Sequence, residues 1–247
     1  MERRAFITGA GATVAAALAG AAWPLSSWAG EKPKRYTIGH STRDRPIKAY
    51  LIGDENAPNR YLVMGQMHGD EPAGRFICHD RLLNKGPVHD VALWVVPTMN
   101  PDGSIRGTRT NARGVDLNRN FPSNTWVRRG KGTRYYSGPR PASEPETRAI
   151  LKFFSDIQPR TLISMHQPLA SVDFSGGSHA VTRWLADHLN LPVAHIQVTG
   201  GGTMTSWYNP KFPKKTAVTV ELPASTTPQY RGHVADVLIR HAKQRRK

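Results

Sequence analysis

The chain has 247 residues and a formal charge of +16, from 34 Lys and Arg against 18 Asp and Glu. That length supports one sizeable core rather than two, and 38% hydrophobic with 21% charged residues excludes a disordered, collagenous or coiled-coil chain. The charge excess bears on solubility and anionic partners, while the single Cys78 excludes a disulfide framework and any CxxC site and reads as a small buried thiol.

Residues 1–29 read as an address. Arg3 and Arg4 precede a weakly apolar, Ala-rich run over residues 9–22, and Ser27-Trp28-Ala29 places small residues where a signal peptidase cuts. The pattern resembles a twin-arginine export signal, which implies a periplasmic or otherwise exported domain over residues 30–247, with cleavage near Ala29-Gly30. The run is short, rich in Gly and Ala and followed by Pro24, so it would span a membrane poorly. No later stretch approaches the roughly 20 apolar residues of a transmembrane helix.

Alternation of apolar and polar residues over 31–53 predicts an early hairpin. Residues 61–66 form a short apolar run suited to a buried strand. Pro72 then opens a helix to about Asn84. A second buried strand, 91–96, runs into Asn100-Pro-Asp-Gly103, a turn signal. Residues 104–142 are rich in Arg, Asn and Gly without periodicity, and irregular stretches of that length in a compact domain are usually functional. Ser143 and Glu146 have capping-box spacing for a helix to about Asp156. A strand at 161–165, a helix at 180–189, strands near 193–198 and 217–220, and a helix from His233 complete the chain. Strands alternating with helices imply a single α/β domain with a mixed, mostly parallel central sheet flanked by helices.

Chemistry concentrates at strand ends, where open α/β sheets place their ligands. His68 and Glu71 follow the first buried strand and can converge on one point; alone, such a pair is weak evidence for a metal. His166 closes another apolar run in the same way. Two His and one Glu with an open position form a catalytic zinc set, whereas a structural site would be closed by four protein ligands. A zinc hydrolase also needs a carboxylate to accept a proton from the attacking water, and Glu221 stands at the end of the 217–220 run. Arg109, Asn118 and Arg119 lie on the irregular segment. Their residue types suit carboxylate binding and oxyanion stabilisation, but equally a solvated turn or a nucleic-acid patch.

His68-Gly-Asp-Glu71, Asn100-Pro-Asp-Gly103, Gly114-Val-Asp-Leu-Asn-Arg-Asn120, His166 and Glu221 occur together in one order. That set resembles the zinc carboxypeptidase family over roughly residues 60–223. Arg109, Ser143-Glu-Pro-Glu-Thr147 and Met165-His-Gln-Pro-Leu-Ala170 look most like its subgroup that cuts the γ-D-glutamyl–meso-diaminopimelate bond of cell-wall peptides. The resemblance implies one zinc ion held by His68, Glu71 and His166, with Glu221 as general base and then acid. It further implies Arg109 on the scissile carbonyl, and Asn118 and Arg119 on the carboxylate of the leaving residue. The family's mobile tyrosine has no clear counterpart; Tyr208 lies in the right region. Gln167 stands where the subgroup carries an acidic residue.

Two other readings remain at the level of sequence. One is a general metallocarboxypeptidase or N-acyl amino acid deacylase, and the other a non-catalytic wall-binding protein. The glycines at 200–202 lack the Lys-Ser/Thr of a phosphate cradle and are expected to form a substrate-side or flexible rim. The basic tail, residues 240–247, reads by default as a solvated helix end, with anionic wall polymers or lipid surfaces favoured over nucleic acid as its partner.

Overall fold

The strands with apolar side chains on both faces become the centre of the sheet. The computed structural model describes residues 32–86, 88–174, 176–197 and 201–244; the expected export signal and the last three residues of the basic tail lie outside the described residues. Eight strands form one sheet: β1 (Lys34–His40), β2 (Pro46–Gly53), β3 (Arg60–Met64), β4 (Ala92–Val96), β5 (Thr161–His166), β6 (Leu169–Asp173), β7 (Val193–Ala194) and β8 (Thr216–Pro223). Their order is β1-β2-β4-β3-β5-β8-β6-β7. β4, β3, β5 and β8 run parallel, while the β1–β2 hairpin, the β2–β4 pair and the β6–β8 pair are antiparallel. The expected mixed sheet and opening hairpin are therefore present.

Helices cover both faces. They are α1 (Ala73–Phe76), α2 (Pro101–Arg106), α3 (Pro145–Ile157), α4 (His179–Leu189), α5 (Met204–Lys211) and α6 (Pro228–Ala242). One buried cluster joins Val63, Val95, Ile163 and Val218 to Leu185 of α4 and Leu238 of α6, with Cys78 fully enclosed in it. The opposite cluster joins Leu62, Trp94 and Leu162 to Phe154 of α3 and Tyr208 of α5. Side chains alternate across each strand, so a central strand must be apolar at successive positions to serve both clusters. None of the described helices is long and apolar enough to cross a membrane.

Several local expectations need correction. The helix after Pro72 keeps α-helical bonding only through Phe76, then widens to a π turn over Ile77–Arg81 and tightens to a 3-10 turn over Leu82–Asn84. Asn100-Pro-Asp-Gly103 starts a helix rather than a plain turn: Asn100 Oδ1 accepts from the Gly103 N–H at 2.9 Å, and Gly107 ends the helix in the left-handed region at φ 61°. The Ser143–Glu146 capping box does not form. Ser143 Oγ donates to Glu144 Oε1 at 2.7 Å, and Glu146 instead accepts from the Thr42 N–H at 2.8 Å and from Asn111 Nδ2 at 3.1 Å. Helix α6 begins at Pro228, capped by Thr227 Oγ1, rather than at His233. The strand expected near 193–198 shortens to Val193–Ala194. Strand β6 and helix α5 carry no periodic signal in the sequence.

Candidate metal centre and active site

Two parallel strands and one loop bring the chemistry to one end of the sheet. Past β3, the chain turns through Met67-His68-Gly69, and Asn100 Nδ2 holds the Met67 carbonyl at 3.1 Å. Gly69 makes the approach to α2 feasible, since a Cβ there would stand 2.0 Å from the Gly103 carbonyl carbon. The second motif thus secures the loop carrying the first. His166 ends β5 and is the register partner of Glu221, two residues before the end of β8, and residues paired across neighbouring strands point to the same face of a sheet.

His68, Glu71 and His166 converge with one ligand atom from each within 4.8 Å of the others, all three buried. His68 Nδ1 lies 2.8 Å from Glu71 Oε1, His166 Nδ1 lies 3.0 Å from Glu71 Oε2, and the two Nδ1 atoms are 3.2 Å apart. Zinc bonds of about 2.0–2.1 Å in a tetrahedron place neighbouring ligand atoms about 3.3 Å apart, close to these separations. The remaining ring nitrogens face outward, His68 Nε2 to Asp116 Oδ1 at 3.0 Å and His166 Nε2 to Ser164 Oγ at 3.1 Å. Such outer partners orient imidazole ligands and fix their tautomers. The donor set and its orientation fit a divalent ion.

The electrostatics call for positive charge at the same point. Burial alone would depress the His68 pKa, yet the carboxylates of Asp116 and Glu71 carry it up to about 9. Burial opposes ionisation of Glu71, but His68 and His166 hold its carboxyl well below the usual carboxylate range. Asp116 behaves likewise: burial is outweighed by His68 and Arg109. Burial raises the Glu221 carboxyl, assisted by Glu71 and opposed by His166.

Asp116 is a residue that the sequence reading passed over, although it lies inside Gly114–Asn120. Fully buried, it accepts from His68 Nε2, from Arg109 Nε at 3.0 Å and from the Asn118 N–H at 2.9 Å. One carboxylate therefore orients a histidine of the triad, the proposed oxyanion arginine and the loop bearing Asn118 and Arg119. Arg109 also donates from Nη1 to Glu71 Oε1 at 3.1 Å.

A cavity of about 360 Å³ opens over the triad, and His68, His166, Arg109, Asn118, Arg119 and Glu221 all line it. Every site residue expected from sequence therefore shares one space. Asn118 Oδ1 is taken by the Met204 N–H at 3.0 Å, which leaves its amide nitrogen for a ligand. Burial and the nearby Arg109 and Arg129 lower the Arg119 pKa, against the pull of Asp116. Tyr135, which carried no sequence signal in its irregular, Arg-rich surroundings, lies under the guanidinium groups of Arg119, Arg109 and Arg129 at 5.1, 5.5 and 5.9 Å from its ring centre. A π face between guanidinium groups offsets part of their repulsion.

Three side expectations resolve differently. Tyr208 is fully buried and donates its hydroxyl to the Pro159 carbonyl, so it is a core residue. Gln167 accepts from the Ala73 N–H at 2.9 Å and donates to the carbonyls of Pro223 and Ala224 at 2.9 and 3.0 Å. It ties α1 to the end of β8 instead of facing a ligand with a free amide. Gly201 and Gly202 are close-packed rather than a rim. A Cβ on Gly202 would stand 2.4 Å from the Arg119 carbonyl, and the Gly202 carbonyl accepts from the Phe121 N–H at 3.0 Å; Gly200 lies outside the described residues.

Side chains supply the bonds that irregular backbone needs. Asn120 Nδ2 donates to the Ser137 carbonyl and Ser143 Oγ, and Asn111 Nδ2 donates to Glu144 and Glu146. The segment between α2 and α3 is thereby fixed with no regular element beyond a 3-10 turn over Leu117–Arg119.

Comparison with known proteins agrees with this geometry. The zinc carboxypeptidase family (Peptidase_M14) matches residues 28–185. The chain is 32% identical over 202 residues to murein peptide amidase A of Vibrio campbellii, covering 76% of this chain and 78% of that protein. It is 35% identical over 161 residues to murein peptide amidase A of Escherichia coli K12, covering 59% and 64%. Among solved structures it resembles murein-tripeptide amidase MpaA from Escherichia coli O157, with a TM-score of 0.74 and 26% identity over 91% of this chain and 98% of that one. Carboxypeptidase A from Helicoverpa armigera shares the fold at a TM-score of 0.70 and 17% identity, over 85% and 68%. With a buried His-Glu-His set at the strand ends and the family's domain matched over most of the described residues, the chain belongs to the zinc carboxypeptidase family and is a zinc-dependent hydrolase.

Proposed function

We propose that this chain is an exported zinc amidase that cleaves the amide bond next to a free carboxylate in peptidoglycan peptides, the γ-D-glutamyl–meso-diaminopimelate bond in particular. The observation that carries the reading is the single cavity joining the His-Glu-His set to Glu221, Arg109, Asn118 and Arg119. Similarity to murein peptide amidases supports the substrate class, and the twin-arginine pattern at Arg3-Arg4 supports the location.

His68, Glu71 and His166 would hold the ion, which when bound supplies Lewis acidity toward the scissile carbonyl and acidifies water. Glu221 accepts the proton of the attacking water on its carboxylate and returns it to the leaving amine. Arg109 turns N–H groups not committed to Asp116 and Glu71 toward the carbonyl oxygen as negative charge develops there. Asn118 Nδ2 and the Arg119 guanidinium bind the free carboxylate of the leaving residue, which sets the bond to be cut. Removal of residues 1–29, which carry Glu2, Arg3 and Arg4, would leave a net charge of +15 (+16 less +1), which would hold the chain near anionic envelope polymers in a salt-sensitive manner.

The test is incubation of zinc-loaded protein lacking residues 1–29 with L-Ala-γ-D-Glu-meso-diaminopimelate, with product masses compared to those from ordinary L-peptides. Release of meso-diaminopimelate is the expected result. Cleavage confined to ordinary L-peptides would make the chain a general metallocarboxypeptidase, and salt-sensitive wall binding without turnover would make it a binding protein.

A further inference from the structure

Glu71 of the metal-binding set sits in the wall between two cavities. Beyond Glu71, opposite the space that holds Asn118 and Arg119, lies a second cavity of about 380 Å³; Glu71, Gln167, Pro168 and Arg134 line both. Because those residues line both spaces, a substrate with its leaving-group carboxylate in the first cavity and its scissile bond at the triad can lay its acyl portion in the second.

Charge distinguishes this second space. Arg134 and Arg231 line it, and Phe76 forms an apolar wall with Arg75 and Arg231 at 4.7 and 5.5 Å from its ring centre. The head of Arg231 is fixed by donation from Nη1 to the Thr226 carbonyl at 2.7 Å, while its Nε and that of Arg75 are buried without a partner. Arg75, Arg134 and Arg231 form no ion pair among the described residues. The carboxylates present do not answer this charge. Glu71 is spent on His68, His166 and Arg109, and exposed Asp70, which forms no ion pair among the described residues, sets one carboxylate at the rim against the two lining guanidinium groups. The amide of Gln167 is committed to backbone. The cavity is therefore built to receive an anion.

We infer that the second cavity is a subsite for a carboxylate carried on the acyl side of the scissile bond, read by Arg134 and Arg231. The inference rests on the amidase reading and deepens it. A γ-linked glutamyl residue is cleaved at its side-chain carbonyl and keeps its α-carboxylate free on the acyl side. An ordinary α-linked residue has its α-carboxyl consumed in the scissile amide itself and offers no free backbone carboxylate there. A guanidinium pair at this position selects γ-linkage through charge, and amidation of that α-carboxylate removes the recognised group.

The decisive quantity is the ratio of kcat/KM for two substrates that differ only in this group. One pair is L-Ala-γ-D-Glu-meso-diaminopimelate and its α-carboxamide form; the second is N-acetyl-L-Glu-L-Lys and N-acetyl-L-Gln-L-Lys. Wild type should favour the carboxylate member by about tenfold, the low end for a hydrogen bond to a charged group. Exposed Arg134, with no partner to lose, gives the variant that is safe for folding: Arg134→Glu should bring the ratio to one or below at unchanged zinc content. Arg231→Gln should lower it as well. A wild-type ratio near one, or ratios unaltered in both variants, would overturn the subsite. Turnover of the N-acetyl pair alone would defeat the amidase reading, while the ratio within that pair still decides the subsite. Calorimetric titration of all four compounds into zinc-loaded Glu221→Gln gives the corresponding ratio of dissociation constants without turnover, and it too should favour the carboxylate members.

Discussion

Replacement of Asp116 by Asn tests whether one buried carboxylate holds both the metal centre and its oxyanion arginine in place. Asp116 Oδ1 takes the bonds from His68 Nε2 and the Asn118 N–H, and Oδ2 takes that from Arg109 Nε. An asparagine can keep the first two with its oxygen, but its NH2 then meets the Arg109 Nε–H donor to donor. The flipped amide keeps Arg109 and loses the other two. The better orientation forfeits one hydrogen bond to a charged group, about 1.5–3 kcal/mol, which corresponds to about 10- to 150-fold in an equilibrium or rate constant. Removal of the negative charge also weakens the outward pull on the His68 ring, and partners of this kind typically contribute about 10- to 100-fold to metal affinity or activity. The measurements are zinc affinity by chelator competition and kcat/KM on the zinc-saturated protein. We expect a loss of about tenfold or more in kcat/KM at saturating zinc, from the misaligned arginine, together with weaker zinc binding. Wild-type values for both would refute the assigned role of Asp116.

Other substitutions separate chemistry from scaffold. Glu221→Gln should retain zinc and its thermal midpoint while losing about 100- to 10,000-fold in kcat, the range for a positioned acid–base group; substantial residual turnover would remove Glu221 from the mechanism. Arg109→Ala should lower kcat by about 100- to 1000-fold with the fold intact, and a change confined to KM would argue against oxyanion contact. His68→Ala and His166→Ala should each yield zinc-poor protein by elemental analysis, whereas full occupancy in both would overturn the ligand set. Tyr208→Phe should cost about 0.5–1.5 kcal/mol of stability through its lost hydrogen bond and leave kcat/KM within about twofold. A large fall in turnover at unchanged stability would instead place that hydroxyl in the reaction.

The motif residues were legible because zinc chemistry restricts side-chain type severely and because strand ends are where an α/β sheet presents them. His68, Glu71, His166 and Glu221 could be picked out as candidates from residue type and the apolar runs before them, and the resemblance to the zinc carboxypeptidase motifs supplied their roles. The central strands were legible for a related reason: residues 61–64 and 92–96 have no polar face, so only a position covered on both sides suits them. Helix α5 was not legible. It is enclosed by aromatic contacts to Phe154 and Phe212 and contains Pro210, so neither an amphipathic stripe nor a clean stop signal marks it.

The sequence by itself determined the α/β class, the donor types and the order in which they occur, since each follows from local pattern or from what a metal accepts as a ligand. Tertiary structure alone decided that Asp116 joins His68 to Arg109, that Tyr135 lies beneath three arginines and Tyr208 inside the core, and that a second basic cavity adjoins the triad. Each of these depends on contacts between segments distant along the chain, and a side chain's charge state and partners are set by those neighbours rather than by its place in the sequence.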